Sequence, residues 1–282
     1  MADPELRRGD SGPSVVEAQN LLNRDGAMLD PLGNFGSVTE SVVLDFQDRN
    51  GITETGIIDA ATWAKLRALP DPSPDVPIAA LKLIVTAEVG SREEYLQRYM
   101  SPVWPGGDSG ITIGVGYDIG QETKDFARDW GPVLPPSQVS ALRPWVGKQG
   151  PPAQLGVAAL GGVIIPWNPA WIVFIESSIP AYVVKTANAF PSTTKLSPLC
   201  FGALVSLVYN RGDGMVDSPP GSGNRKEMRD IRDALAAGRP QDVPAALRAM
   251  KRLWPNARGL RDRRDAEADL FEQGLTSPSV GG

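Results

Sequence analysis

Glu88, Thr112 and Asp118 are the side chains of this sequence best placed to do chemistry. The chain has no histidine, which removes the usual general base, the usual zinc ligand and the partner of any Ser/His or Cys/His nucleophile. Acid–base work by an enzyme with no organic cofactor then falls to Asp and Glu. In IAALKLIVTAEVG, Ile78, Leu81, Ile84 and Val85 form one helical stripe, and Glu88, four residues after Ile84, continues it. Desolvation there disfavours the charged form and suits a proton donor. The helix alone favours a half-exposed glutamate in a terminal turn capped by Gly90. Downstream, ITIGVGYDIG alternates. As a strand, it turns Ile111, Ile113, Val115, Tyr117 and Ile119 one way and Thr112, Gly114, Gly116 and Asp118 the other. Two glycines between a hydroxyl and a carboxylate suggest a close approach to the backbone. Asp108, in GGDSG, reads most simply as a turn residue and otherwise as a rival carboxylate.

The rest of the chain must hold these residues in place. At 282 residues, with 41% hydrophobic and 22% charged, it has the composition of a globular protein of two domains. The first 70 residues predict a three-helix bundle. One helix has Val15, Val16, Ala18, Leu21 and Leu22 inside, Ser14 as cap and Gly26 as stop. A second runs from Thr39 with Val42, Val43 and Phe46, and a third starts at Asp59 with Trp63 and Leu66 inside. PDPSPDVP, residues 70 to 77, carries four prolines and reads as a semi-rigid linker. The predicted division is therefore 1–69, linker 70–77 and 78–282. Cys200 lies in an apolar run, forbids an internal disulfide and is expected to be buried. Residues 149 to 175 have no formal charge, but Pro151, Pro152, Pro166 and Pro169 break the run below the ~20 residues of a bilayer helix. Membrane insertion is not expected. The N-terminus shows no basic-then-apolar signal, so the protein is expected to accumulate in the cytoplasm. Net charge is −5, yet residues 225–264 hold twelve Lys or Arg against five Asp or Glu. Only Trp254 accompanies that cluster, which favours solvated helix faces over nucleic-acid binding.

Two resemblances extend this reading. The succession Leu-x-x-Gly-x-x-Gly-x-x-Val, Gly, Thr, Val, Phe-Gln, Gly-Ile, Asp and Thr-Trp-x-x-Leu over residues 5 to 69 resembles the small peptidoglycan-binding domain of bacterial and phage wall hydrolases. Most matched positions are core or turn positions, and Phe35, Gln47 and Arg49 are the candidate contacts to a wall fragment. From residue 78 to 273 the chain resembles phage-type lysozymes of the pesticin-like branch. A helix ending in Glu is followed by a Gly-rich strand with Thr and Asp. CFGALVSLVYNRG comes next, then RLWPNARGLRDRRDAEADLF, with Arg263, Arg264 and Glu267 in register. Residues 120 to 195 match only loosely.

The second resemblance implies an α+β, mainly helical, lysozyme-like domain with a small β-hairpin beside a catalytic cleft, joined to the three-helix bundle. It implies Glu88 as acid, Thr112 as water holder and Asp118, with Asp108 as alternative, as the second carboxylate. Gly114, Gly116 and Asn210 would line the sugar site. No cofactor or metal is implied, the partner is bacterial peptidoglycan, and a monomer is expected. The leading activity the resemblance implies is an N-acetylmuramidase serving host lysis as a phage endolysin, held in the host bacterial cytoplasm before release. The alternatives are a lytic transglycosylase, an interbacterial effector or bacteriocin muramidase, and an inactive wall-binding protein.

Overall fold

The computed structural model describes residues 3–121 and 125–277, so the outer limits of both expected domains, 1 and 282, lie outside the described residues. The chain divides into two compact units, Met1–Pro72 and Ser73–Gly282. The division falls inside the proline-rich segment, whose Val76 is already buried in the second unit.

The first unit consists of α1 (Pro13–Arg24), α2 (Ser37–Arg49) and α3 (Ala60–Arg67). Their apolar stripes meet in one core containing Val15, Ala18, Leu22, Val42, Val43, Phe46, Trp63 and Leu66. Asp59 caps α3 by accepting from the Thr62 amide and hydroxyl, both at 2.8 Å. The other starts shift slightly: Gly12, followed by Pro13 in the first turn, replaces Ser14 as the cap of α1, and α2 begins at Ser37 rather than Thr39.

This unit corrects the surface role expected of two residues. Phe35 is a core side chain. Gln47 is fully buried, and its Oε1 accepts from the Thr55 and Gly56 amides while its Nε2 donates to the Ile57 carbonyl at 2.8 Å. Both build the scaffold and leave no face for a ligand. Arg49 is partly exposed and bridges Asp25 and Asp45.

In the second unit, α11 (Pro198–Arg211) is the central helix, buried at every residue from Gly202 to Tyr209. It packs on α4 (Ile78–Val89) and on α14 (Arg258–Thr276). Gly202 is required there, since a Cβ would lie 2.5 Å from that of Ala80. Cys200 is buried between α11 and α14, its thiol donating to the Phe271 carbonyl. α13 (Val243–Ala249) packs on α14, and α12 (Lys226–Ala236) packs on α13. Between α4 and α11 lie α5 (Arg92–Arg98), a hairpin, and the short helices α6 (Phe126–Trp130), α7 (Pro136–Leu142) and α8 (Pro151–Ala159). α9 (Trp167–Val173) then passes through a π-helical turn, Phe174–Ser178, into α10 (Ile179–Ala189). Among the described residues no helix is long and apolar enough to cross a membrane. The fold is mainly helical, with one small antiparallel sheet.

The hairpin corrects the single strand read from 111–120. It comprises β1 (Thr112–Ile113) and β2 (Tyr117–Asp118), pairing Thr112 with Asp118 and Ile113 with Tyr117 about a Gly114-Val115-Gly116 turn. Both glycines have positive φ, +59° and +71°, which the turn requires.

Candidate active site

Glu88 sits in the last turn of α4, which stops at Gly90 with φ +76°. Its carboxylate is half-buried, but the surround is not the purely apolar one expected from the stripe. Arg263 of α14, its side chain only 3% exposed, donates from Nη1 to Glu88 Oε1 at 2.6 Å. Arg263 also donates to Glu267 Oε1 at 3.2 Å and to the Ser206 carbonyl at 2.9 Å. Burial works against its charge, yet Glu88 and Glu267 hold the guanidinium above its ordinary pKa, so it is a fixed cation. Glu267 Oε1 takes further bonds from Ser206 Oγ and Arg264 Nη2, both at 2.7 Å. One oxygen of Glu88 is thus anchored to α11 and α14 through a chain of buried charges.

The other oxygen faces the hairpin. A Cβ on Gly116 would lie 3.0 Å from Glu88 Oε2, and one on Gly114 would lie 2.8 Å from the Trp130 ring. What approaches these glycines is therefore the protein's own carboxylate and indole. The turn is tied to α11 by Tyr209, whose hydroxyl donates to the Val115 carbonyl at 2.5 Å. Burial, and next the charge of Glu88, push the Tyr209 phenol well above its ordinary pKa, so it stays a donor.

Across the two-residue ladder, Asp118 accepts from the Gly120 amide at 2.8 Å, the Gly110 amide at 3.0 Å and Gln121 Nε2 at 3.0 Å. Among the described residues these donors fix the carboxylate's orientation without a cation. A Cβ on Gly110 would strike Asp118 Oδ1 at 2.1 Å, so the glycine makes room for the acid. Thr112 is held from the other side by paired backbone bonds to Val103, at 2.7 and 3.0 Å.

A cleft of about 750 Å³ opens over these groups. Glu88, Thr112, Gly114, Gly116, Asp118 and Asn210 all line it. Asp108 is exposed in a turn and is not among the lining residues, whereas among the described residues the buried Oδ1 of Asn210 has no partner.

Residues 11–66 match the family described as "Putative peptidoglycan binding domain". The first unit is similar to that family over almost all of its three helices. No curated protein sequence matches the chain. A solved structure titled "Crystal structure of Burkholderia AP3 phage endolysin" aligns over 97% of this chain and 100% of its own, at 16% identity. Its TM-score of 0.23 is too low for the likeness to carry an argument.

The opposite wall of the cleft was not legible in the sequence. Ser177, Ser178, Ala181, Tyr182 and Lys185 line it from the π turn and the start of α10. Pro180 lacks the N–H that a continuous helix would bond to residue 176, and its ring crowds that carbonyl, so the wider turn falls just before it. A proline inside IESSIPAY was the available signal.

Proposed function

We propose that the chain is a modular peptidoglycan hydrolase of the phage-endolysin type. Its second unit is an N-acetylmuramidase that cleaves the β-1,4 bond between N-acetylmuramic acid and N-acetylglucosamine. The first unit holds the enzyme on the wall. The observation that carries this reading is the convergence of Glu88, Thr112 and Asp118 on one cleft, with only one Glu88 oxygen engaged by Arg263.

In this reaction Glu88 gives its proton to the glycosidic oxygen as the C–O bond breaks. The charge left on Glu88 meets the Arg263 guanidinium. Thr112 and Asp118 hold a water against the far face of the oxocarbenium-like sugar. Oxygen bonds to the anomeric carbon and Asp118 takes the water's proton, which gives inversion. The amide and side-chain donors on Asp118 keep that carboxylate aimed at the cleft.

Mass spectrometry of purified peptidoglycan after digestion tests the assignment. Reducing muramic ends are expected. Anhydro-muramic ends would replace hydrolysis by a lytic transglycosylase, and free stem peptides would overturn both. Binding without any product would leave only a wall-binding protein.

A further inference from the structure

The basic stretch 225–264 is mostly neutralised from within. Its cations other than Arg225 and Arg261 each meet a carboxylate. Arg225 instead donates from Nη1 to the carbonyl of Arg211, at 2.6 Å, on the last turn of α11. Arg211 lies against the Trp254 ring, 4.9 Å from its centroid, and donates to the Asn224 carbonyl. Among the described residues neither guanidinium has an ion-pair partner. The nearby Glu227 is claimed by Arg252, at 2.5 and 3.0 Å.

Two cations crowded at one helix end and left unneutralised are costly unless an anion arrives. Burial, and then the charges of Arg225 and Arg264, push the Arg211 guanidinium down to about 10. Arg211 lines the cleft directly after Asn210, whose Oδ1 is a buried acceptor with no protein partner. A cation beside a free acceptor matches a carboxylate beside an amide N–H.

From this placement we infer that Arg211, supported by Arg225, forms a subsite of the cleft for a carboxylate carried on the muramic acid side of the glycan. The inference rests on the muramidase reading of the same cleft and adds a preference within it. The carboxylate has two sources, the stem peptide of intact peptidoglycan or the free lactyl group of peptide-stripped glycan.

The test uses the full chain and three soluble tetrasaccharides: one bearing tetrapeptide stems, one with free lactyl carboxylates, and chitotetraose, which has neither. The wild type is expected to show its lowest KM on a carboxylate-bearing substrate, and the better of the two identifies the source. Arg211→Gln and Arg225→Gln are each expected to raise that KM about 10-fold or more and to narrow the ratio to chitotetraose, with a smaller change in kcat. Arg225 is not a lining residue of the cleft, so its variant keeps the test alive if Arg211→Gln melts early. A ratio that stays at the wild-type value in both variants overturns the inference and leaves the muramidase reading standing. If the wild type cleaves none of the three, the muramidase reading fails. Calorimetric binding of the disaccharide-tetrapeptide, expected in the wild type and weakened about 10-fold in the variants, then decides the subsite, and no binding by the wild type overturns it.

Discussion

Glu88→Gln should separate chemistry from folding. Glu88 accepts one charge-assisted bond, at 2.6 Å, from a guanidinium that retains Glu267 and the Ser206 carbonyl. Such a bond contributes roughly 1.5–3 kcal/mol when buried. Glu88 is 22% exposed and a glutamine oxygen still accepts, so the expected loss is about 1 kcal/mol. For a unit of this size that is a fall of about 2–4 °C in melting temperature. Loss of the proton donor should instead slow clearing of purified peptidoglycan by about 10²- to 10⁴-fold. Thermal melts and turbidity traces on the same preparation give both numbers. Arg263→Met is the contrast: it strips Glu88 and Glu267 of a buried partner and should cost about 3–5 kcal/mol along with activity. Retention of more than about a tenth of the wild-type rate by Glu88→Gln would refute the acid assignment. A fall in its melting temperature as large as that of Arg263→Met would refute the energetic argument.

Gly116→Ala places a Cβ 3.0 Å from Glu88 Oε2 at a φ of +71°, so it should cost about 1–2 kcal/mol and slow clearing although no reacting group is removed. An unchanged clearing rate would show that the turn does not position the acid. Asp59→Ala should destabilise the first unit by about 1 kcal/mol in thermal melts near neutral pH. The Thr62 amide and hydroxyl hold the Asp59 carboxyl below its ordinary pKa, so its stabilisation is present above the unfolded value. It is lost as pH falls through the lower folded value, so the wild-type advantage should begin to shrink below about pH 4 and vanish only in stronger acid. A difference that persists in strong acid would show that the cap's charge is irrelevant. Gln47→Leu leaves the Thr55 and Gly56 amides unpaired and takes the shortest donor from the Ile57 carbonyl, which should cost about 3 kcal/mol or more and release the chain from a peptidoglycan pull-down. Undiminished retention and melting would contradict the scaffold role.

The apolar stripes made the three helices of the first unit legible, and at Asp59 the cap agreed as well, whereas α1 and α2 start two residues earlier than their polar residues suggested. The hairpin was only half legible for a geometric reason. Folding 111–119 back about Val115 pairs Ile113 with Tyr117 and Thr112 with Asp118, so residues of equal parity stay on the same face. A period-two pattern therefore looks the same in one straight strand and in a tight hairpin centred on an odd residue. Only the Gly-x-Gly centre distinguishes them, and it was read as space for a ligand. The alternation still located the core: Ile111, Ile113, Val115, Tyr117 and Ile119 are all buried. The guanidinium against Glu88 could not be read from the α4 stripe, since it comes from a helix 175 residues away. Gln47 was misplaced because a buried amide that satisfies loop backbone looks, in sequence, like a surface polar residue, and Phe35 because an aromatic in a Gly-rich turn looks the same whether it faces the core or a ligand.

The spacing in α14 explains how one helix reaches two sides of the site. Arg263 and Arg264 are adjacent, so their side chains leave the helix about 100° apart. Both nevertheless reach Glu267, one turn later at i+4 from the first and i+3 from the second. That shared anchor lets Arg263 face Glu88 on α4 while Arg264 lies over Trp254, which also carries Arg211. With Glu88 charged, the buried chain Glu88–Arg263–Glu267–Arg264 has two charges of each sign; with Glu88 protonated it carries one surplus cation. In the proposed reaction the proton's departure restores that balance through groups already in place, with no side chain needing to move. The short hairpin needs only to present Thr112 and Asp118, because the acid is braced from α14 by Arg263, itself held by Glu267 and the Ser206 carbonyl.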